Sequence, residues 1–533
     1  MSLSLSEQAG RRRTFAIISH PDAGKTTLTE NLLLAGGAIR AAGEVAARGE
    51  RRRTTSDWMK IERDRGISVS ASVMTFEHNG NVYNLLDTPG HEDFSEDTYR
   101  TLTAADCAIM VLDAAKGIEP QTLKLFEVCR MRDIPIVTFI NKLDREALDP
   151  LELLDEVADK LQLDTAPLYW PAGSGNRFGG MMDLRTGEHL PYFKQAADDP
   201  IIPGPTARTS LDEIRDQLDP AAIGELEEGS EMAREMLPKI DRQAFLEGHM
   251  TPVVFGTALR HFGVGELLAT LEEFAPAPRP QKVHKSDAPI DLNRDDKPVS
   301  GFVFKIQANM DPNHRDRVAF LRLCSGEFKR GMRLKTVEGK QVNVHNPLMF
   351  LAQDREIAET AYAGDVIGVP NHGQLRVGDS LSESGDIRFA GIPNFAPEIL
   401  RRARSKDPMK AKHLRKALES LAEEGVTQLF KPAIGSDMIV GAVGALQIEV
   451  MAERMVTEYG LDVTFETAPY NVARWISCDD NDVVQAFLDK NKSASGTDLD
   501  GAPVYLAKNA WDVGYAAEKN PDIRFTATKE RAV

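Results

Sequence analysis

The most constraining feature of the chain is a short turn that joins an apolar run to a helical pattern near the start of the sequence. The run 14–18, Thr-Phe-Ala-Ile-Ile, predicts a strand, and leucines at helical spacing after Lys25 predict a helix. Backbone N–H groups at the start of a helix attract phosphate, Lys25 can reach terminal phosphates, and the Thr26 hydroxyl can bind Mg²⁺. The turn therefore predicts a phosphate-binding loop. Its residues are Ser19, His20, Pro21, Asp22, Ala23, Gly24, Lys25, Thr26 and Thr27.

One residue of this loop departs from the usual pattern, which has glycine where the chain has Ser19. Glycine is preferred there because its backbone can adopt a positive φ. Ser19 therefore predicts an ordinary φ, with its hydroxyl directed at a phosphate or at a backbone group. From these residues alone, an ordinary turn that contains Gly24, Lys25 and Thr26 remains an alternative.

The length and the cysteine content limit the class of protein. With 533 residues the chain is too long for one hydrophobic core, and we expect roughly three or four domains. The start of the chain does not resemble a signal peptide, and apolar stretches such as 107–112 are far shorter than the about 20 residues that span a bilayer. Four scattered cysteines indicate a reducing setting, so we expect a soluble, cytoplasmic protein with no membrane partner. They are Cys107, Cys129, Cys324 and Cys478.

The charge is negative overall but unevenly distributed. A net charge of −17 argues against a protein whose whole surface binds nucleic acid, and we expect no DNA partner. Residues 212–235 contain nine acidic residues and two arginines, whereas residues 399–417 contain eight Lys or Arg and a single Asp. The basic segment is interpreted either as an RNA contact or as the solvated face of a helix.

Apolar runs alternate with helical patterns from residue 14 to about 275. This alternation predicts an α/β domain with a doubly wound, mostly parallel sheet, and we assign it residues 1–280. The stretch from about 145 to 250 is too long for one crossover, so we expect it to carry an inserted subdomain with the acidic segment. The predicted strands are Thr14 to Ser19, Val82 to Asp87, Cys107 to Asp113, Pro135 to Asn141 and Thr251 to Thr257.

Two breaks divide the rest of the chain. The proline-rich run 275–280 cannot continue a helix and predicts a stiff linker. Short alternating runs with glycine turns then predict an antiparallel β-barrel domain over 281–390. After a second break at 391–397, helix and strand patterns mix, which predicts an α+β domain over 391–533. Its helix candidates are Met409 to Glu424 and Gly444 to Tyr459, and its strand candidate is Ile439 to Val443.

A second motif follows the predicted strand at 82–86 and consists of Asp87, Thr88, Pro89, Gly90 and His91. At the end of a strand beside the phosphate loop, the Asp87 carboxylate can hold Mg²⁺ through water, and the Gly90 N–H can contact a γ-phosphate. Ser68 lies between the two motifs in the sequence and is placed to give Mg²⁺ a second hydroxyl. Residues from about 40 to 70 are therefore expected to form a switch that the nucleotide orders.

A third motif consists of Asn141, Lys142, Leu143 and Asp144. The Asp144 carboxylate can accept hydrogen bonds from guanine N1–H and N2–H₂, whereas adenine offers neither donor. A site built on such bonds rejects the wrong base by roughly 10⁴ to 10⁵. The phosphate loop, Ser68, the second motif, the third motif and one further segment make five elements in this order, and together they favour a GTP or GDP site with Mg²⁺. The last of them, at the end of the final predicted strand, is formed by Gly256, Thr257 and Ala258.

With these residues placed, the chain resembles the translational GTPases, the family of elongation factors G and Tu. In that family the 256–258 segment contacts guanine O6 through its backbone. The resemblance implies that His91 positions the water that attacks GTP, and that the ribosome stimulates a low intrinsic rate. An external activator of a GTPase supplies on the order of 10³ to 10⁵ in rate.

Within this family, the region that follows the predicted barrel domain in the sequence distinguishes one branch from another. A carrier like elongation factor Tu would end in two barrels, whereas residues 423–428 and 441–450 resemble the third domain of elongation factor G. We expect no room for that factor's two further domains. Segments 56–59, 91–100 and 304–312 resemble the class II peptide-chain release factors, and Ser19 and Ser68 fit this branch. The resemblance covers nearly the whole chain.

The resemblance implies a GTP hydrolase, stimulated by the ribosome and its RNA, that promotes dissociation of class I peptide-chain release factors after the peptide is freed. We expect a monomer. Two alternatives stay open: a shortened ribosomal GTPase like elongation factor G, and a GTPase subunit that drives a partner enzyme, as in sulfate activation. The second alternative predicts stimulation by a protein partner and indifference to ribosomes.

Overall fold

The computed structural model describes residues 3–39, 70–192, 206–283, 286–290, 298–308, 317–350, 355–390 and 392–530. In this part of the chain, no helix combines the length and the apolar character that crossing a membrane requires. All four cysteines are free thiols. Burial raises the pKa of Cys107, Cys129 and Cys324 to about 12, so these three side chains act as packing groups rather than nucleophiles.

The N-terminal part of the chain forms a seven-stranded sheet and a small three-stranded one. The large sheet has the order β2-β3-β1-β4-β5-β10-β6, and β7, β8 and β9 form the small antiparallel sheet. All neighbours in the large sheet are parallel except β2, which is antiparallel to β3. The strands are β1 Arg12–Ser19, β2 Ser72–His78, β3 Asn81–Asp87, β4 Cys107–Asp113, β5 Ile136–Asn141, β6 Asp164–Pro167, β7 Tyr169–Pro171, β8 Gly180–Asp183, β9 His189–Pro191 and β10 Met250–Phe255.

Side chains of β1 alternate between two apolar cores, one on each face of the large sheet. Phe15 and Ile17 pack in the core that contains Leu28 of the following helix, whereas Ala16 and Ile18 pack in the other. Helices therefore cover both faces, as predicted for a doubly wound sheet. The helices are α1 Leu5–Gly10, α2 Lys25–Ala35, α3 Ser95–Leu102, α4 Pro120–Met131, α5 Pro150–Leu161, α6 Leu211–Ile214, α7 Pro220–Met236, α8 Arg242–Leu246 and α9 Val264–Phe274, and the 3₁₀ turns are Glu92–Phe94, Gly175–Arg177, Arg215–Gln217 and Ala258–Arg260.

The middle part of the chain is an antiparallel β half-barrel. Its main sheet has the order β17-β16-β22-β13-β14-β21-β18-β19, and β11–β12 and β15–β20 form two further pairs. The strands are β11 Gln281–Val283, β12 Ser286–Ile290, β13 Ser300–Ala308, β14 Arg317–Ser325, β15 Glu327–Lys329, β16 Arg333–Thr336, β17 Gln341–Asn343, β18 Leu348–Phe350, β19 Arg355–Ile357, β20 Thr360–Tyr362, β21 Val366–Pro370 and β22 Ser380–Ser382.

The C-terminal part of the chain is an α+β unit. Its antiparallel sheet has the order β27-β24-β26-β25-β29-β30-β28-β31, and β23 pairs with β32. The strands are β23 Pro393–Phe395, β24 Ile399–Ser405, β25 Gln428–Pro432, β26 Ile439–Ala442, β27 Val463–Thr467, β28 Val472–Ser477, β29 Ser495–Asp498, β30 Pro503–Ala507, β31 Arg524–Thr526 and β32 Thr528–Glu530. The helices are α10 Ala411–Glu423, α11 Ala445–Tyr459, α12 Asn481–Lys490 and α13 Ala510–Lys519, with 3₁₀ turns at Pro408–Lys410 and Lys492–Ala494.

Buried charges join the parallel sheet to the half-barrel. The Arg322 guanidinium of β14 donates to Thr14 Oγ1 at 2.9 Å and to the Asp106 carboxylate. Arg12 Nε lies 3.2 Å from Asp365 Oδ1 at the same interface. All four charged side chains are buried. Because a buried charge without a partner is costly, these two pairs fix how the domains meet.

Candidate nucleotide-binding site

The predicted motifs meet at one edge of the large sheet, around an open cavity of about 430 Å³. Strands β1, β3 and β5 are parallel, so their carboxyl ends reach the same edge, where ligands of open α/β sheets bind. The cavity is lined by Ser19, His20, Pro21, Asp22, Gly24, Lys25, Thr26, Thr27, Gly90, His91, Asn141, Lys142, Asp144, Arg145 and Leu259.

The phosphate loop connects β1 to α2 through two residues with positive φ. Gly24, directly before α2, has φ +99°, and Asp22 has φ +67°. A Cβ at Gly24 would overlap the Asn141 side chain, so both space and φ require glycine here. Ser19 has no positive φ, as the sequence predicts, and its buried hydroxyl has no hydrogen-bond partner among the described residues. A hydroxyl in this position can donate a hydrogen bond to a phosphate oxygen of a nucleotide.

The buried Lys25 side chain joins the loop to the second motif. Lys25 Nζ donates to Asp87 Oδ1 at 2.6 Å, and Thr29 Oγ1 donates to the same oxygen at 3.2 Å. A Cβ added to Gly90 would lie 3.9 Å from Lys25 Cε, which places the Gly90 backbone beside the lysine. The loop and the Asp87–Gly90 turn therefore face one another across the position expected for terminal phosphates.

Asn141 holds three segments of the site in register. Its Nδ2 donates to the Ala23 carbonyl at 2.8 Å, and its Oδ1 accepts from the Ala258 N–H at 2.8 Å. The Leu143 N–H donates to the Gly256 carbonyl at 3.2 Å. The third motif is therefore bonded both to the phosphate loop and to the 256–258 segment.

The Lys142 side chain connects the phosphate loop to the end of β4. It adopts a positive φ of +76°, and its Nζ donates to Asp113 Oδ2 at 2.7 Å and to the Asp22 carbonyl. Partial burial alone would raise the pKa of the Asp113 carboxyl, but hydrogen bonds from Lys142 and from the Ala115 N–H hold it below its usual value. Sequence reasoning missed Asp113, although a carboxylate at the end of β4 was an available signal.

The side of the cavity that is predicted to recognise the base is built around Asp144. Thr257 Oγ1 donates to Asp144 Oδ1 at 2.6 Å and thereby orients the carboxylate. Leu259, a residue that is 48% exposed, lines the same cavity and presents an apolar side chain to it. Sequence reasoning missed Leu259 as well, because an exposed leucine after Ala258 gives no signal by itself.

His91 lies at the cavity edge with 35% of its side chain exposed. Its Nδ1 accepts a hydrogen bond from the Asp93 N–H at 3.2 Å, and its ring packs edge-on against Phe94 at 6.2 Å between centroids. These contacts fix the ring and leave Nε2 as the nitrogen that can contact a water.

The donor chemistry fits Mg²⁺. Thr26 lines the cavity and Asp87 lies behind Lys25, so a hydroxyl and a carboxylate, both hard oxygen donors, adjoin the expected phosphate position. Among the residues that the structure describes, no cluster of three or more His, Cys, Asp or Glu could hold a metal. A cation here would therefore depend on the phosphates as well, as is usual for Mg²⁺. Ser68, predicted as a further ligand, lies outside the described ranges.

Several predicted site residues support the cavity from behind instead of lining it. Thr88 Oγ1 donates to the Ile17 carbonyl at 2.6 Å, and the Pro89 carbonyl accepts from Thr98 Oγ1 at 3.2 Å, so this turn is held by both neighbouring elements. The residues of this second layer are Ala23, Asp87, Thr88, Pro89, Leu143, Gly256, Thr257 and Ala258.

The basic segment 399–417 does not line this cavity and lies on β24, the 3₁₀ turn Pro408–Lys410 and α10. Part of its charge is neutralised by acids of the same domain. Arg404 and Lys406, for example, pair with Asp437 at 3.0 Å and Asp462 at 2.8 Å. Lys412 and Lys416 on α10 are exposed and form no ion pair with any residue that the structure describes. Its role as an RNA contact stays a prediction.

A phosphate loop after β1, a facing carboxylate after β3 and a guanine-type Asn-Lys-x-Asp motif after β5 define a P-loop GTP-binding protein. Residues 10–277, half of the chain, match the family model of the elongation factor Tu GTP binding domain. Residues 298–384 match elongation factor G domain 2, and residues 389–517 match the C-terminal domain of class II release factor RF3. The chain belongs to the translational GTPases, as its sequence motifs predict.

A solved structure agrees with the multidomain fold. A crystal structure of a protein from Thermus thermophilus aligns with a TM-score of 0.67 and 25% sequence identity, covering 91% of this chain and 72% of that chain. Membership of the family implies GTP and GDP as ligands, Mg²⁺ as their counter-ion, GTPase activity and interaction with the ribosome.

Proposed function

We propose that the chain is a ribosome-stimulated GTP hydrolase of translation termination that promotes dissociation of class I release factors after peptide release. The observation that carries the proposal is the match of residues 389–517 to a class II release factor domain, in one chain with a GTP-binding domain. Nucleotide-dependent contacts would favour one arrangement of the domains, and that arrangement would bind a ribosome state incompatible with the class I factor.

In the proposed hydrolysis, a water oxygen forms a bond to the γ-phosphorus and the bond to the β–γ bridging oxygen breaks, which releases GDP and phosphate. His91 would orient that water through Nε2, because its Nδ1 is held by the Asp93 N–H. Lys25 and the backbone N–H groups of the loop would hold the β- and γ-phosphates. Thr26, Asp87 and Ser68 would hold Mg²⁺, which neutralises charge on the phosphate oxygens.

The base-recognition residues would select the nucleotide, and the two domains that follow the GTP-binding domain would contact the ribosome. Asp144 would select guanine, and Asn141 would keep the base-recognition segment in register with the phosphate loop. Residues 281–390 and 391–533 would form the barrel and α+β domains that transmit the nucleotide state to the ribosome. The exposed part of the basic segment, including Lys412 and Lys416, would contact ribosomal RNA.

GTP hydrolysis measured with and without ribosomes tests the enzymatic part of the proposal. Ribosomes should raise kcat, and His91→Ala should lower the stimulated rate by about 10³-fold while GTP binding persists. His249→Ala is the matched control, since His249 is an exposed histidine of the same domain outside the cavity. If ribosomes have no effect on the wild type, the translation role fails and a GTPase subunit of a partner enzyme is favoured.

The termination role needs its own assay. Dissociation of a labelled class I release factor from ribosomes after peptide release should accelerate when the protein and GTP are added. A non-hydrolysable GTP analogue separates the binding step from the hydrolysis step. Ribosome-stimulated hydrolysis without any effect on the class I factor would contradict the termination role and favour the shortened elongation-factor-G-like alternative.

A further inference from the structure

Helix α11 of the C-terminal domain begins without a capping side chain of its own. The N-cap residue is Gly444, which makes no side-chain hydrogen bond. By contrast, Asp480 caps α12 by accepting from the Asp482 N–H, and Asn509 caps α13 by accepting from the Asp512 N–H. Because the first N–H groups of a helix have no partner within it, α11 needs an acceptor from elsewhere.

That acceptor comes from the GTP-binding domain. Asp93 Oδ2 accepts a hydrogen bond from the Leu446 N–H at 2.7 Å, so a carboxylate 353 positions earlier in the chain caps α11. A negative charge at this end also opposes the positive end of the helix dipole. Gly444 has an ordinary φ of −142°, but a Cβ there would overlap the Asp93 carboxylate. The glycine is therefore required for space.

The capping residue is bonded to the histidine of the nucleotide site. The Asp93 N–H donates to His91 Nδ1 at 3.2 Å, and Asp93 Oδ1 lies 3.5 Å from the same nitrogen. Asp93 lies within the 3₁₀ turn Glu92–Phe94, and His91 is the N-cap of that turn. A movement of this turn that displaces the His91 ring must also displace the cap of α11.

A second contact between the same two domains lies about two helical turns after Asp93 in the chain, and here the GTP-binding domain supplies a cation instead of an anion. Arg100 of α3 donates through Nη1 to the Gly425 carbonyl at 2.6 Å, just past the end of α10. Gly425 has φ +79°, and a Cβ there would overlap the guanidinium. A cation at the carbonyl end of a helix is favourable, as an anion is at the N–H end. The buried Glu96 carboxylate accepts from Arg100 Nη2 and holds it in place.

We propose that Asp93 is a positioning residue which couples the placement of His91 to the C-terminal domain. Asp93 and Arg100 act as two charged caps, supplied by residues 91–102, on two helices of that domain. A change of nucleotide that moves residues 91–102 therefore loosens or tightens the C-terminal domain, and docking of that domain on a partner fixes His91. The part that concerns hydrolysis rests on the proposed role of His91.

Hydrogen exchange of the full chain, without ribosomes, tests the coupling. Exchange at the start of α11, in peptides that cover residues 443–450, should differ between GDP and a non-hydrolysable GTP analogue. Asp93→Ala should accelerate it by about 5-fold, as for loss of a helix cap, and should abolish the nucleotide difference. Gly444→Ala, which leaves the nucleotide site untouched, should also accelerate exchange at the start of α11 and abolish the nucleotide difference. Equal exchange of the wild type in the two nucleotides, or a nucleotide difference that survives Asp93→Ala, would overturn the coupling.

Asp480→Ala is the matched control, because it removes the same kind of cap from α12 of the same domain. It should accelerate exchange in α12 and leave the nucleotide difference in α11 intact. Asp93→Asn keeps an oxygen acceptor and loses only the charge, so its exchange rate should lie between those of the wild type and Asp93→Ala.

Kinetics separate a positioning role from a structural one. With ribosomes, Asp93→Ala should lower kcat for GTP hydrolysis by about 10-fold with an unchanged KM for ribosomes, whereas Asp480→Ala should change neither. A wild-type kcat in Asp93→Ala, or a loss confined to KM, would overturn the positioning role. Absence of any ribosomal stimulation in the wild type would instead refute the proposed function, and the exchange experiment would still decide the coupling.

Discussion

Lys25 Nζ lies 2.6 Å from Asp87 Oδ1, and both side chains are buried between the phosphate loop and the end of β3. The pair keeps a cation and an anion at the place where terminal phosphates are expected. A triphosphate bound as we propose would compete with Asp87 for Lys25, and the pair would then link nucleotide binding to the turn that leads to His91.

Lys25→Ala should destabilise the protein as well as weaken nucleotide binding. Removing Lys25 leaves the Asp87 carboxylate buried without its charge partner, which costs about 3 kcal/mol. Urea unfolding monitors the free energy of unfolding, and fluorescent GTP and GDP analogues monitor binding. Lys116→Ala is the control, because its pair with Glu119 has a nitrogen–oxygen distance of 3.4 Å and a lysine side chain that is 50% exposed. Equal unfolding midpoints for the two variants would contradict the role of the pair.

Asp144→Asn should exchange guanine for xanthine as the preferred base. The asparagine offers one acceptor and one donor, so it pairs poorly with the two N–H donors of guanine but matches the O2 carbonyl of xanthine. GDP affinity should fall by roughly 10² to 10⁴, the value of two hydrogen bonds to a charged group. Competition between GDP and xanthosine diphosphate (XDP) for the site measures this loss of GDP affinity and the change of base preference. Asp149→Asn, which keeps a capping side chain before α5, should change neither affinity, and unchanged GDP affinity in Asp144→Asn would refute the base contact.

Thr257→Val should weaken guanine binding without changing base preference. Thr257 Oγ1 donates to Asp144 Oδ1 at 2.6 Å, so the variant removes only the group that orients the carboxylate. We expect about a 10-fold loss of GDP affinity, close to one hydrogen bond to a charged acceptor. Thr251→Val, on strand β10 and with its hydroxyl bonded to that of Thr138 at 2.8 Å, is the control for loss of a buried hydroxyl. A switch towards XDP in Thr257→Val would contradict this division of roles.

Local sequence patterns predicted the elements that position the site. Strand β4 was predicted with both its ends correct, since residues 107–113 form a continuous apolar run that ends at a carboxylate. The prediction for β10, 251–257, ran two residues too far, because the strand ends at Phe255 and Thr257 pairs instead with Phe262 across the 3₁₀ turn Ala258–Arg260. The helix predicted over 409–424 begins two residues later, after the 3₁₀ turn Pro408–Lys410 that Asp407 caps.

Contacts between distant segments were out of reach of these patterns. Strand β2, antiparallel at the edge of the large sheet, was not predicted, and neither was the pairing of β6 with β10. The same holds for the pairing of Arg322 with Asp106. A charged residue at an apolar interface is read from sequence as exposed, because the partner that stabilises it when buried is far away in the chain.

Glu266→Gln should stabilise the protein at neutral pH and not at acidic pH. Glu266 of α9 is buried, and burial raises its pKa above the usual 4.5 despite a hydrogen bond of 2.7 Å from the Thr206 N–H. The folded state therefore binds its proton more tightly than the unfolded state, so the stability that the neutral carboxyl contributes is complete below pH 4.5 and is lost as the pH rises through the folded pKa. Glutamine keeps the acceptor oxygen and cannot ionise, so its advantage in unfolding free energy over the wild type should be largest at pH 7 and should vanish near pH 4, as urea unfolding over this range would show.

Glu273→Gln on the same helix, with a side chain 53% exposed, should stay within about 0.5 kcal/mol of the wild type throughout. An advantage of Glu266→Gln that is equal at both ends of the range would contradict the assignment, because a pure packing effect does not depend on pH.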